Sequence, residues 1–333
     1  MTGFFINLLT WINNVVGNYG WSIVVFTLLI RLVLLPLDIK SKKSMRAMTK
    51  VQPKIQALQK KYANDKEKLN QKTMELYRKE HVSPTAGCLP MLISLPILWI
   101  MFSAMRTLGN EYTIQMILDM KQTGQLPTLQ SWLWIKNVFQ PDSFAATILP
   151  AVGSALRTIM PVKSSAILTE ANIAAAKEFL SSSAYSSIAA QLAPASAFTV
   201  QRINFLFINT VMTLPNSFAN LFKYGNGLFI LPLLAGASQF LMTKIMNGKQ
   251  TKEQKELQEA QKADQSQTNP MNSPVMKWFF PLFSVWICAT SNAAFSIYWM
   301  AANVIQIVQQ LAVNYWFERQ DAKAAETAQV TDD

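Results

Sequence analysis

The chain has 333 residues, half of them hydrophobic and only 15% charged, with a net charge of +11. A soluble domain carries about 25% charged residues, so the deficit excludes an ordinary water-soluble globule and points to apolar spans joined by polar loops. With only Cys88, Cys288 and His81, no disulfide framework or metal-ligand spacing exists.

No charged side chain precedes Arg31. Within residues 1–18, Asn7, Thr10, Asn14 and Asn18 recur at helical spacing, and Phe4, Phe5, Leu8, Trp11, Ile12 and Val15 take the other faces. This predicts an amphipathic helix lying along the bilayer surface. It has neither the basic start nor the small-residue cleavage site of a signal peptide. Residues 19–37 read as transmembrane helix 1, long enough to cross about 30 Å of hydrocarbon.

Residues 38–84 are expected to form a cytoplasmic basic helical hairpin. Between positions 38 and 80 there are 13 basic residues against five acids, a net charge of +8. Such a block suits anionic lipid, an acidic partner or nucleic acid. Beside a span, its first meaning is the cytoplasmic side of the membrane, and no direct nucleic-acid contact is expected. Met45, Met48, Val51, Ile55, Leu58 and Tyr62 step by three and four, as on an amphipathic helix. Asn64-Asp65 can break and recap it, and Leu69, Met74, Leu76 and Tyr77 mark the second helix.

Residues 85–108 read as transmembrane helix 2, with Pro90 and Pro96 able to bend it. The extracytoplasmic segment, 109–226, holds only seven basic residues. Two short stretches in it look alike: Trp134-Ile135-Lys136-Asn137 followed by Pro141-Asp142-Ser143-Phe144-Ala145, and Phe207-Ile208-Asn209 followed by Pro215-Asn216-Ser217-Phe218-Ala219. A shared origin and chance are both open. The Ala/Ser-rich insert between them, 145–202, is expected to form peripheral helices. Residues 227–246 read as transmembrane helix 3, and 247–274 as a flexible cytoplasmic loop. Residues 275–290 and 294–317 form helices 4 and 5, a tight hairpin, and 318–333 a cytoplasmic tail. The expected fold is an all-α integral membrane protein of five spans, with the N-terminus outside and the C-terminus inside.

Arg31 is the one ionisable residue well inside a span, about 9 Å from its inner edge at 1.5 Å per residue. A charge at mid-bilayer costs roughly 2.5–3.5 kcal/mol on insertion scales. The plain reading is an arginine that snorkels to the headgroups; the sharper one is an arginine facing a watered cavity. Trp299, Asn303, Gln306, Gln310 and Asn314 recur by three and four along helix 5, with Tyr298 at the edge of their face. Such a stripe serves interhelical hydrogen bonding or lines a cavity. Thr27, one turn before Arg31, and Gln239 in helix 3 are placed to join it.

There is no Ser/His/Asp set, metal cluster or glycine-rich phosphate loop, so no enzyme activity, metal or cofactor is expected. A channel or transporter is the rival reading, but an ion-coupled transporter places acids or histidines in its spans.

The chain resembles the YidC/Oxa/Alb membrane protein insertases. The resembling strings are Gly20-Trp21-Ser22 through Arg31-Leu32-Val33-Leu34-Leu35-Pro36-Leu37, then Gln52-Pro53-Lys54-Ile55, then Leu89-Pro90-Met91-Leu92 through Pro96. Later come Leu231-Pro232-Leu233-Leu234 with Gln239, and Phe280-Pro281 through Tyr298-Trp299-Met300-Ala301-Ala302-Asn303. They cover 16–105 and 227–317 in family order.

The resemblance implies five transmembrane helices around a hydrophilic groove open to the cytoplasm and to lipid, and a mobile cytoplasmic hairpin. Arg31 would be the groove's charge, recruiting substrate, and Thr27, Gln239, Tyr298, Trp299, Asn303 and Gln306 would line it. The implied partners are nascent membrane proteins with acidic or polar translocated tails, the lipid bilayer, the Sec translocon, the signal recognition particle pathway and the ribosome. The implied location is the bacterial cell membrane. The large periplasmic β-domain of Gram-negative members and the N-terminal lipoprotein cysteine of many Gram-positive members are not recognisable.

Overall fold

The computed structural model describes residues 2–82, 89–150, 159–205, 208–246 and 274–331. Cys88 and residues 247–273, nearly all of the loop expected in the cytoplasm, lie outside them. The described residues are mostly helical. The chain divides into two compact units: one comprises Met1–Leu28 and Phe102–Asn314, the other Leu29–Met101 and Tyr315–Asp333.

In the first unit, helix α1 (Thr2–Val16) buries Leu9 and Ile12 and sets the Phe5 ring edge-on to Phe26. Gly17 ends it at φ 74°, its N–H donating to Asn13 O, since a residue without Cβ enters the left-handed region at no steric cost. Helix α2 (Tyr19–Lys61) starts at once. Asn18 serves as its cap: the side-chain oxygen accepts from Trp21 N and the amide donates to Ser131 O.

Helix α4 (Leu89–Thr123) runs on past residue 108 into the segment 109–226. Its last turns place Ile114, Ile117 and Met120 against Ile173, Ala176 and Phe179 of α5 (Glu170–Leu180) and Tyr185 and Ile188 of α6 (Ser183–Leu192). Thr169 and Ser182 cap the two short helices through their hydroxyls. The segment 109–226 thus carries its own apolar core and, within the insert, the expected peripheral helices. It also carries an antiparallel ribbon that the helical expectation did not contain: β1 (Phe198–Phe205) pairs with β2 (Ile208–Pro215), from Phe198 opposite Pro215 to Phe205 opposite Ile208. Helix α7 (Phe218–Tyr224) follows.

Helices α8 (Ile230–Met246), α9 (Pro274–Thr290) and α10 (Ala293–Thr331) complete the described chain. Gly236 of α8 sits so close to Val285 and Pro281 of α9 that a Cβ there would collide. Asn292, in the turn between α9 and α10, accepts from Phe295 N and donates to Met105 O of α4.

In the second unit, α2 continues through Pro36 and Pro53, 43 residues in all. Helix α3 (Lys66–Lys79) is capped by Asp65, which accepts from Lys68 N. Lys54 and Glu80 pair at 2.6 Å and tie α2 to the end of α3. Arg46 meets Asp321 at 2.5 Å and covers the Phe317 ring.

Candidate functional site

The polar stripe of α10 meets α8 at one buried contact. Asn303, buried, donates from Nδ2 to Ser238 Oγ at 3.1 Å, and Ser238 donates to Ala235 O. Gln239, next in the chain, is half-buried, and its backbone carbonyl accepts from the Thr243 hydroxyl. Tyr298 and Trp299 flank Phe295, with ring centroids 6.3 and 5.6 Å from it. The indole Nε1 of Trp299 is buried without a hydrogen-bond acceptor. Gln306 is half-buried one turn beyond Asn303. Thr27 is buried, and its hydroxyl donates to Ile23 O at 2.6 Å. Asn303 and Thr27 therefore spend their donors inside the protein, while Trp299 holds one in reserve.

Arg31 belongs to the second unit and is half-buried on α2. Asp38 and Lys42 follow it at spacings of seven and eleven, about 10 and 16 Å along the same helix face. Burial raises the Asp38 carboxyl above its ordinary value, opposed by the charges of Arg31 and Lys42. Burial pushes the Lys42 ammonium down to about 8, opposed by Asp38. Asp38 is thus an acid one residue beyond the stretch 19–37, on the helix that carries Arg31.

Sequence reasoning missed a buried polar knot in the segment 109–226. Asp142 is fully buried. Its Oδ1 accepts from Leu228 N and Phe229 N, and its Oδ2 from Leu231 N and Trp134 Nε1. It thereby serves the N-terminus of α8, whose first N–H groups have no intrahelical acceptor and whose dipole favours a carboxylate. It also holds Phe229 at φ 64°, a conformation costly for a side chain with Cβ. Gly227 lies against the carboxylate where a Cβ would not fit. Asn137 N donates to Asn226 Oδ1, and Asn226 Nδ2 donates to the carbonyls of Asn137 and Pro141. Gln140 O and Val138 O accept from Ala293 N and Ala294 N at the start of α10. One short segment thus caps two helices. Of the two look-alike stretches, the second behaves differently: Asn216 is exposed and donates to Ser196 O.

The family model described as 60Kd inner membrane protein matches residues 11–181 and 180–321, most of the chain. The chain belongs to this family. It is the YidC/Oxa/Alb family that the ordered strings resemble. A membrane protein insertase YidC of Fusobacterium nucleatum subsp. nucleatum is 42% identical over 149 residues, 45% of this chain and 63% of the relative. One of Caldanaerobacter subterraneus subsp. tengcongensis is 48% identical over 154 residues, 45% of this chain and 67% of the relative. One of Bordetella petrii is 42% identical over 112 residues, 32% of this chain. The chain spans 63% of the first relative's length and only 20% of the Bordetella one. The family match takes in every candidate residue from Thr27 to Gln306 as well as the knot around Asp142.

Proposed function

We propose that the chain inserts and helps fold integral membrane proteins in the bacterial cell membrane. Membership of the 60Kd inner membrane protein family carries this reading, because the relatives matched are named membrane protein insertases. In it, residues 19–37, 85–108, 227–246, 275–290 and 294–317 cross the bilayer, with the N-terminus outside and the basic arm and tail in the cytoplasm. Helix α2 is long and apolar enough to cross a membrane. Helices α8 and α9, with 17 residues each, reach about 25 Å, the short end of what spans a bilayer.

The physical task is to carry a polar tail across while its apolar segment enters lipid. A hydrated groove lined by Thr27, Gln239, Tyr298, Trp299, Asn303 and Gln306 thins the barrier. Arg31 attracts an acidic tail residue. At about 4 Å and an effective dielectric near 20 that pair is worth up to ~4 kcal/mol, comparable to the cost of one buried acid. Partition of the apolar segment into lipid drives the step. The Trp299 indole, with no acceptor of its own, suits a backbone carbonyl of the passing chain. The Sec translocon, the signal recognition particle pathway and the ribosome are the proposed partners upstream.

The test is insertion of matched small membrane proteins, with and without tail acids, into liposomes containing the purified chain. Insertion of neither substrate would overturn the reading. Arg31→Lys should retain much activity, and Arg31→Ala should lose the acidic-tail substrate more than the neutral one. Equal losses for both tails would sink the attraction mechanism alone.

A further inference from the structure

Helix α7 carries two large aromatic rings that the described residues leave exposed. Phe218 is 75% exposed and Phe222 51% exposed, and their rings meet edge-to-face at 4.8 Å. They stand four residues apart, on one helix face. Lys223 and Tyr224 follow at the C-terminal end, the Lys223 ammonium lying over the Tyr224 ring. Exposed phenylalanines beside a lysine and a tyrosine are the composition of a helix seated at a membrane–water boundary.

The helix is also fixed in place. Lys136 Nζ donates to the carbonyls of Phe222 and Lys223 at 2.9 and 2.7 Å, at the C-terminus of α7. Burial pushes that ammonium below its ordinary value. Lys136 N donates to Asn226 O, and Thr147 bridges to Gly225. These contacts come from the segment whose Asp142 caps α8. From Tyr224 to Ile230 the chain reaches at most about 20 Å. Helix α7 is therefore held close to the outer end of α8, whose Leu233, Leu234, Phe240 and Leu241 are themselves exposed apolar residues.

We infer that α7 is an outer-leaflet anchor: Phe218 and Phe222 seat among lipid acyl chains and set the depth at which α8 enters the membrane. The inference rests on the reading of α8 as a membrane span. The occupant is lipid rather than another protein, because the rings lie at most a short tether from a helix that itself needs lipid around it.

The experiment uses the full chain without its two cysteines, reconstituted in phosphatidylethanolamine/phosphatidylglycerol liposomes. Single cysteines at Phe218, Phe222, Ala219 or Leu234 carry a spin label, and its collisions with oxygen and with a water-soluble nickel chelate are read by power saturation. The expected result is an oxygen-to-nickel ratio several-fold higher at 218 and 222 than at the exposed Ala219, with Leu234 higher still. A ratio at 218 and 222 equal to that at 219 overturns the anchor. Shielding at 218 and 222 from both reagents points to a second copy or another protein on the patch, and overturns it too. A nickel-accessible Leu234 removes the membrane reading of α8, a failure separate from that of α7.

Discussion

Asp142 of the polar knot is fully buried and accepts four hydrogen bonds, three of them from backbone N–H groups at the entry to α8. In the basic arm, Arg46 and Asp321 meet at 2.5 Å with 39% and 57% of their side chains exposed. Both are polar contacts between residues distant in sequence, yet they work by opposite physics. Asp142 is closed off from solvent, so its donors depend on that one carboxylate, and losing it leaves them without an acceptor. Around Arg46, water and salt stand ready to replace either partner. One region is over-determined and the other replaceable.

The largest expected effect breaks the knot. Asp142→Ala orphans three backbone donors and the Trp134 indole, at 1–3 kcal/mol for each group that water cannot reach. A loss of about 3 kcal/mol or more is expected, seen as a large fall in the thermal midpoint of the detergent-solubilised chain. Asp142→Asn should fall between, since its amide nitrogen cannot accept from Leu231 N and Trp134. A variant as stable as the parent would show that the knot is not what fixes α8.

The next effect lies in the arm and follows pH. The Lys42 amine titrates near 8 in the folded chain against 10.5 for an ordinary lysine. Between those values the unfolded chain binds more protons, so this group makes stability rise with pH across the window. Below it, the folded arm carries the cost of holding a half-buried charge. Lys42→Met should remove that rise, about 1 kcal/mol once solvent screening of a half-exposed group is allowed for. Acylation of Lys42 followed by mass spectrometry should show a half-maximal rate near pH 8. A midpoint at the ordinary lysine value would remove the burial argument.

The smallest effect is the exposed pair itself. Asp321→Ala should cost less than about 1 kcal/mol and nothing measurable in high salt. Arg46→Ala should cost slightly more at every salt concentration, because it also uncovers the Phe317 ring. A salt-independent loss at Asp321 would make the arm as over-determined as the knot and erase the contrast.

Much of this was legible in local patterns. Asp65 follows an amphipathic run and precedes a second one, the position of a cap, and it accepts from Lys68 N. The spacing of the α10 stripe places Asn303 on a face that meets Ser238. The family strings carry the membership that the family match shows. The knot was not legible, because Asp142 finds its three backbone donors 86 to 89 residues away, and the sequence around it does not distinguish it from a surface acid. The likeness of 134–145 to 207–219 is misleading for the same reason: Asp142 is buried and Asn216 exposed. The ribbon escaped because Phe198-Thr199-Val200 and Ile208-Asn209-Thr210 are short runs in an Ala/Ser-rich segment, and brief apolar runs do not declare helix or strand. Helix α2 outruns residue 37 because its backbone bonds are internal, so a fall in hydropathy along the sequence does not by itself end it.

That last feature makes α2 a beam. Beyond Pro36 it extends another 25 residues to Lys61, close to 38 Å at 1.5 Å per residue. Each proline removes one rung of the hydrogen-bond ladder, so stiffness is lowest at Pro36 and again at Pro53. Flexure of only ~10° at the first of these sweeps the far tip through ~6 Å, wider than the gap between neighbouring strands in a sheet. A change too slight to disturb packing around Pro36 is thus magnified into a stroke at the α2–α3 turn.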